Sequence, residues 1–144
     1  MNHQPFTIER VYDAPADRVW AAITDQKKMK EWYFDIADFR AEVGFEFSFY
    51  GGNEDGSKRY LHLCKVTEVV PGKKLAYSWR YENDPGKSIV IFELFPEGNK
   101  TRLKLTHEGV ETFSQDNPDL VRKNFEMGWT DIIGNILKQY VEKA

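Results

Sequence analysis

His62 and Cys64 stand two residues apart in a run of alternating apolar residues, so on a strand they share one face, and His107 lies in a second such run. A thiol beside an imidazole is the arrangement of a base-activated nucleophile. The simpler reading is preferred: a buried thiol beside Leu63 and Val66, and histidines hydrogen-bonded at a wall. Three scattered histidines and one cysteine do not form a zinc spacing, so no metal is expected. A single cysteine cannot close an internal disulfide. The loop Gly51–Lys58 resembles a phosphate loop only in outline. Its Ser57-Lys58 pair is reversed, a strand follows where a helix should, and Glu54 and Asp55 would repel phosphate. Asp131, beside Ile132, is the candidate carboxylate for acid-base work and is expected to face solvent. No catalytic residue and no cofactor are therefore expected.

The elements that must position these groups follow from period and punctuation. Phe6 to Tyr12 has strand composition and stops at Asp13-Ala14-Pro15. A helix begins there, with Pro15 at its first position, Asp17 in its first turn, and Ala16, Val19, Trp20 and Ile23 on one stripe. A second short helix, about Gln26 to Trp32, turns Met29 and Trp32 inward and Lys27, Lys28 and Lys30 to water. From Ile36 the period becomes two. Gly44, the Gly51–Lys58 loop, Pro71-Gly72, Asn83-Asp84-Pro85-Gly86 and Pro96-Glu97-Gly98-Asn99 separate strands at about 36–42, 45–50, 59–70, 74–82, 87–95 and 100–108. Connections this short join antiparallel neighbours. Asn117-Pro118 then caps a last helix whose stripe is Val121, Phe125, Trp129, Ile132, Ile133, Ile136, Leu137, Tyr140 and Val141. The expected architecture is α+β: a curved, seven-stranded antiparallel sheet, two short helices after its first strand, and a long C-terminal helix of about 36 Å covering the apolar face.

Composition narrows the function. The 144 residues make one domain, 1–144. Four Trp, seven Tyr and ten Phe concentrate the apolar volume in flat rings, which excludes disorder. No apolar run reaches the ~18 residues of a membrane span. The formal charge is −3 with signs interspersed, so nucleic acid is not an expected partner. Met1 to Pro5 has neither the basic nor the apolar region of a secretory signal, so the cytoplasm is the expected location, and Asn99-Lys100-Thr101 reads as a turn instead of a glycosylation site.

Several of these residues form a recognisable set. Val11-Tyr12-Asp13-Ala14-Pro15, then Val19 to Asp25 and Trp32, resemble the opening of START-like proteins, the superfamily of the birch-pollen-allergen fold. Gly44-Phe45-Glu46-Phe47, the run Val66 to Trp79, Leu105-Thr106-His107-Glu108-Gly109 and Gly128-Trp129 are similar to the homologues of the activator of the ninety-kilodalton heat-shock chaperone's ATPase. The resemblance covers nearly the whole chain and implies the helix-grip fold, a hydrophobic cavity between sheet and helix, and ligands such as lipids, polyketides, sterols or hormones; a minority of the superfamily are cyclases or hydrolases. The eukaryotic activators carry a further amino-terminal domain, whereas residue 6 here already belongs to the first strand.

The expected function is binding of a small hydrophobic or aromatic molecule without chemistry. Its walls would be Trp32, Phe47, Phe49, Val66, Tyr77, Trp79, Phe92, Leu94, Leu105, Phe125, Trp129 and Ile133, with Tyr60, His62 and His107 as polar handles. The alternatives are a chaperone-interaction module and a cavity enzyme of cyclase or hydrolase type. The protein is expected as a monomer or homodimer.

Overall fold

Phe6–Tyr12 forms strand β1. The computed structural model describes residues 5–33, 36, 38–52, 59–82, 84–113, 120 and 122–143. Ala16–Thr24 is helix α1 and Gln26–Trp32 is helix α2. Pro15 takes the N-cap, one position earlier than expected, with extended backbone at φ −71° and ψ 157°. Val19, Ala22 and Ile23 are buried while Trp20 is half-buried, so the α1 stripe is rotated away from the Ala16–Trp20 line. Asp25 ends α1 and caps α2, its Oδ1 accepting from the amides of Lys27 at 2.9 Å and Lys28 at 3.4 Å. Met29 and Trp32 point inward and Lys27, Lys28 and Lys30 outward, as their spacing requires.

Among the described residues of 36–42 there is no strand, and the sheet has six strands instead of seven. The buried residues there, Ile36 and Phe39, are three apart, which alternation forbids. The Ile36 carbonyl accepts from Gln26 Nε2 at 2.7 Å, a side chain in place of a neighbouring strand. The chain then turns at Glu42–Phe45, where the Phe45 amide donates to the Glu42 carbonyl at 3.0 Å and Gly44 adopts φ +92°, open to glycine at no steric cost.

Strands β2 (Glu46–Gly52), β3 (Arg59–Val70), β4 (Lys74–Tyr81), β5 (Ser88–Glu97) and β6 (Lys100–Glu108) follow as an antiparallel meander, and β1 returns to pair with β6. The order β1-β6-β5-β4-β3-β2 leaves β1 and β2 as edges of an open sheet. Burial alternates along the strands, so one face is apolar and the other faces water. A bulge between Val66 and Glu68 interrupts the β3–β4 ladder.

The C-terminal helix sets Trp129 against Trp79 and Phe92 of the apolar face. It runs as α3 (Arg122–Asp131), one π-helical turn (Ile132–Ile136) and α4 (Leu137–Glu142), about 31 Å in all. The expected Asn117-Pro118 cap and Val121 lie outside the described residues, as do Asn83 and the 53–58 part of the Gly51–Lys58 loop. Phe125, Trp129, Ile133, Leu137 and Val141 are buried, one every fourth residue, while Ile132 and Tyr140 are half-buried and Ile136 is 37% exposed. At 3.6 residues per turn a four-residue spacing drifts by about 40° each step, and the wider π turn takes up part of that drift. At the π turn the Leu137 amide donates to the Ile132 carbonyl, where an α-helix would use Ile133. The Ile133 carbonyl accepts instead from the buried Tyr12 hydroxyl at 2.6 Å, tying the helix to β1.

Candidate functional site

Strand register brings the expected wall residues onto one surface. Phe47 faces Cys64 and Phe49 faces His62 across β2–β3; Val66 faces Tyr77 and Cys64 faces Trp79 across β3–β4. Phe92 lies between Leu75 and Leu105, Leu94 opposite Leu103, and His107 opposite Val90. Trp32 enters from α2, and Phe125, Trp129 and Ile133 from the C-terminal helix. All are buried, and Tyr60 is half-buried beside Tyr81, with ring centroids 5.8 Å apart.

Rings of the sheet and the helix meet directly. The Trp129 centroid lies 5.6 Å from Trp79 and 6.2 Å from Phe92, and Phe125 lies 5.2 Å from His107. Phe49 stacks on His62 at 4.5 Å and Phe47 meets Tyr77 edge-on at 5.1 Å. These distances are those of favourable aromatic pairs. Tyr33, immediately after α2, stacks on Trp32 at 4.8 Å and on Trp129 at 6.4 Å, and its hydroxyl meets that of Tyr77 at 2.9 Å. Sequence reasoning missed Tyr33, because a residue just past a helix end follows neither period. It also missed Tyr81 and Ser88, which lie in the rows of Tyr77-Trp79 and Val90-Phe92, and Phe113, which stacks on Phe125 at 5.6 Å from an irregular segment.

The polar groups inside are satisfied by one another. Trp129 Nε1 donates to His107 Nδ1 at 2.9 Å. That nitrogen must therefore be the acceptor, so Nε2 carries the proton and donates to Ser88 Oγ at 2.8 Å, and Ser88 donates in turn to the Trp79 carbonyl at 2.7 Å. His107 is held neutral with both nitrogens used, and burial lowers its pKa to about 3. Burial likewise lowers His62 to about 4, against the opposing pull of the Tyr60 and Phe49 carbonyls. Burial pushes the Cys64 thiol well above its ordinary range, the opposite of what activates a nucleophile. It also raises the phenols of Tyr33 and Tyr77, so both stay protonated. His62 and Cys64 share a face as expected, yet their chemistry is that of packed, uncharged groups.

Asp131 is exposed and accepts from Asn135 Nδ2 at 3.2 Å, on the solvent side of the helix. Among the described residues no group of three His, Cys, Asp or Glu side chains could hold a metal ion, and no helix is long and apolar enough to cross a membrane.

Residues 13–142 match the family model described as Activator of Hsp90 ATPase homolog 1-like protein. Protein CV1439 from Chromobacterium violaceum shares the fold with a TM-score of 0.82 at 22% identity, over 98% of this chain and 99% of that one. Protein MLL2253 from Mesorhizobium loti is 28% identical with a TM-score of 0.75, over 96% and 97% of the two chains. CalU16 from Micromonospora echinospora is 28% identical with a TM-score of 0.72, over 95% of this chain and 75% of that one. No curated protein matches the chain significantly in sequence.

Proposed function

From the premise that this chain belongs to the family of activator of Hsp90 ATPase homolog 1-like proteins, we propose that it binds a small apolar or aromatic molecule between sheet and C-terminal helix, in the manner of a helix-grip fold, without transforming it. One observation carries this reading. The Tyr33 phenol, a planar ring with one hydroxyl, stacks on Trp32 and Trp129 and shares a hydrogen bond with Tyr77 in an otherwise apolar interior. A ligand of the same chemistry takes the place of that ring, keeps the stacking and bonds to the Tyr77 hydroxyl. Binding therefore requires Tyr33 to swing out. The neutral, fully bonded His107 and the unactivated Cys64 support binding in preference to catalysis.

Native mass spectrometry of freshly purified protein tests this, together with quenching of tryptophan fluorescence by 2-naphthol. A co-purified small molecule is expected, or quenching that strengthens in Tyr33→Ala, where the ring's volume is vacant. No bound mass and no quenching in either protein overturns the reading.

The family description favours a second reading, a module that stimulates a heat-shock chaperone's ATPase. It predicts that the full chain raises the turnover of a purified chaperone of the ninety-kilodalton class. Turnover equal to that of the chaperone alone counts against it.

A further inference from the structure

The sheet face turned away from the C-terminal helix carries an open concavity of about 390 Å³ over β2, β3 and β4. Ser48, Leu63, Lys65, Ser78 and Arg80 line it, with Lys87, the residue just before β5. Strand register fixes how the cations sit. Leu63 is opposite Arg80 and Lys65 opposite Ser78. Ser88 is opposite Trp79, so Lys87 comes beside Arg80 on the other flank. Neighbouring strands are about 4.8 Å apart and diagonal positions about 7–8 Å, so Arg80 has like charges on both sides. Among the described residues none of the three has a carboxylate oxygen within 4.0 Å. Glu46 is the one carboxylate in the lining, in register with Lys65 and not ion-paired to it. A net positive patch thus stands on a chain of formal charge −3.

The floor is apolar. Leu61 and Leu63 are half-buried on this face, and Tyr50, beside Leu61, is 56% exposed. Solvated sheet faces are ordinarily polar. Half-buried leucines beside Tyr50 and Arg80 offer a partner an apolar floor next to two residue types that interfaces favour, Tyr and Arg. A free anion would leave that floor uncovered, and in so open a groove the cations would stay hydrated and screened.

We propose that this face docks an acidic segment of a protein partner, its carboxylates on Lys65, Arg80 and Lys87 and an apolar side chain between them on Leu63. The inference is independent of the interior site.

A capped peptide of about nine residues alternating Asp and Leu is the probe, followed by amide chemical shifts of the full chain. The expected result is shifts confined to Ser48, Leu63–Lys65, Ser78–Arg80 and Lys87, with affinity falling as salt is raised. R80E should weaken binding roughly tenfold or more, and the double variant K65Q/K87Q comparably. K28E on α2, another exposed lysine, should leave it unchanged. Shifts elsewhere, affinity indifferent to these substitutions, or equal binding of a Lys-Leu peptide overturns the proposal. So does inorganic phosphate or single-stranded DNA that reproduces the shifts with the same affinity, which would make the face a phosphate site.

Discussion

A histidine that accepts from an indole and donates to a serine has no position left for a proton, and His107 is so placed. In the unfolded chain both His107 and His62 take up protons below about pH 6.5; in the fold they do so only near 3 and 4. The unfolded state therefore binds more protons across that window. The stability these neutral histidines contribute is fully present above pH 6.5 and is lost as pH falls through 4 and 3. We expect urea midpoints to drop between pH 7 and pH 4, and the drop to flatten in His107→Phe. Imidazole nitrogen shifts should report a neutral Nε2–H tautomer for His107 throughout. Cys64, 4% exposed with a raised pKa, should react with a thiol reagent only when the chain unfolds; rapid labelling of native protein would contradict its placement. Spacing was enough to put His62 and Cys64 on one face, since two residues is the strand period. The partners of His107 were not legible, because Ser88 and Trp129 lie on other elements and meet it only through register and helix docking.

At the scale of elements the hairpins were read to within about two residues, because Pro-Gly and Gly-Asn turns punctuate a clear period of two. The 36–42 stretch misled because its composition suits a strand while its contacts are made by Ile36 and Phe39. The π turn left no signal, since the group that bonds its freed Ile133 carbonyl is Tyr12, far away in sequence. Tyr12→Phe removes the hydroxyl from the Ile133 carbonyl and should cost about 1–3 kcal/mol in urea denaturation. Deleting Asn135 makes the Leu137 amide and the Ile132 carbonyl an ordinary α-helical pair. That variant should fold with Leu137 and Val141 still buried, and Tyr12→Phe in its background should cost measurably less. Gly86 is constrained differently: a Cβ there would lie 2.5 Å from Phe113 Cδ1 and 2.6 Å from the Thr112 carbonyl. Gly86→Ala should therefore cost roughly 1–3 kcal/mol by overpacking.

For the molecule as a whole, the aromatic content already announced an interior rich in rings, and the ordered motifs announced the family. Whether opposed rings touch is decided by fractions of a ring's thickness, which no pattern encodes; here Trp129 meets both Trp79 and Phe92. If a ligand is carried through purification, protein freed of it by unfolding and dialysis should melt at a lower temperature than fresh protein. The difference should close again on adding the recovered molecule, by about 2.7 kcal/mol at a hundredfold excess over its Kd. The sheet order has a consequence in time. Strands β2 to β6 pair with sequence neighbours, but Phe6 must find His107 and Tyr12 must find Thr101 across most of the chain. Such closures carry the larger loop-closure entropy and are expected to come late. Because the Ile133 carbonyl takes its hydrogen bond from the Tyr12 hydroxyl, β1 and the C-terminal helix complete one another, so a nascent chain is expected to finish this fold only after that helix has emerged.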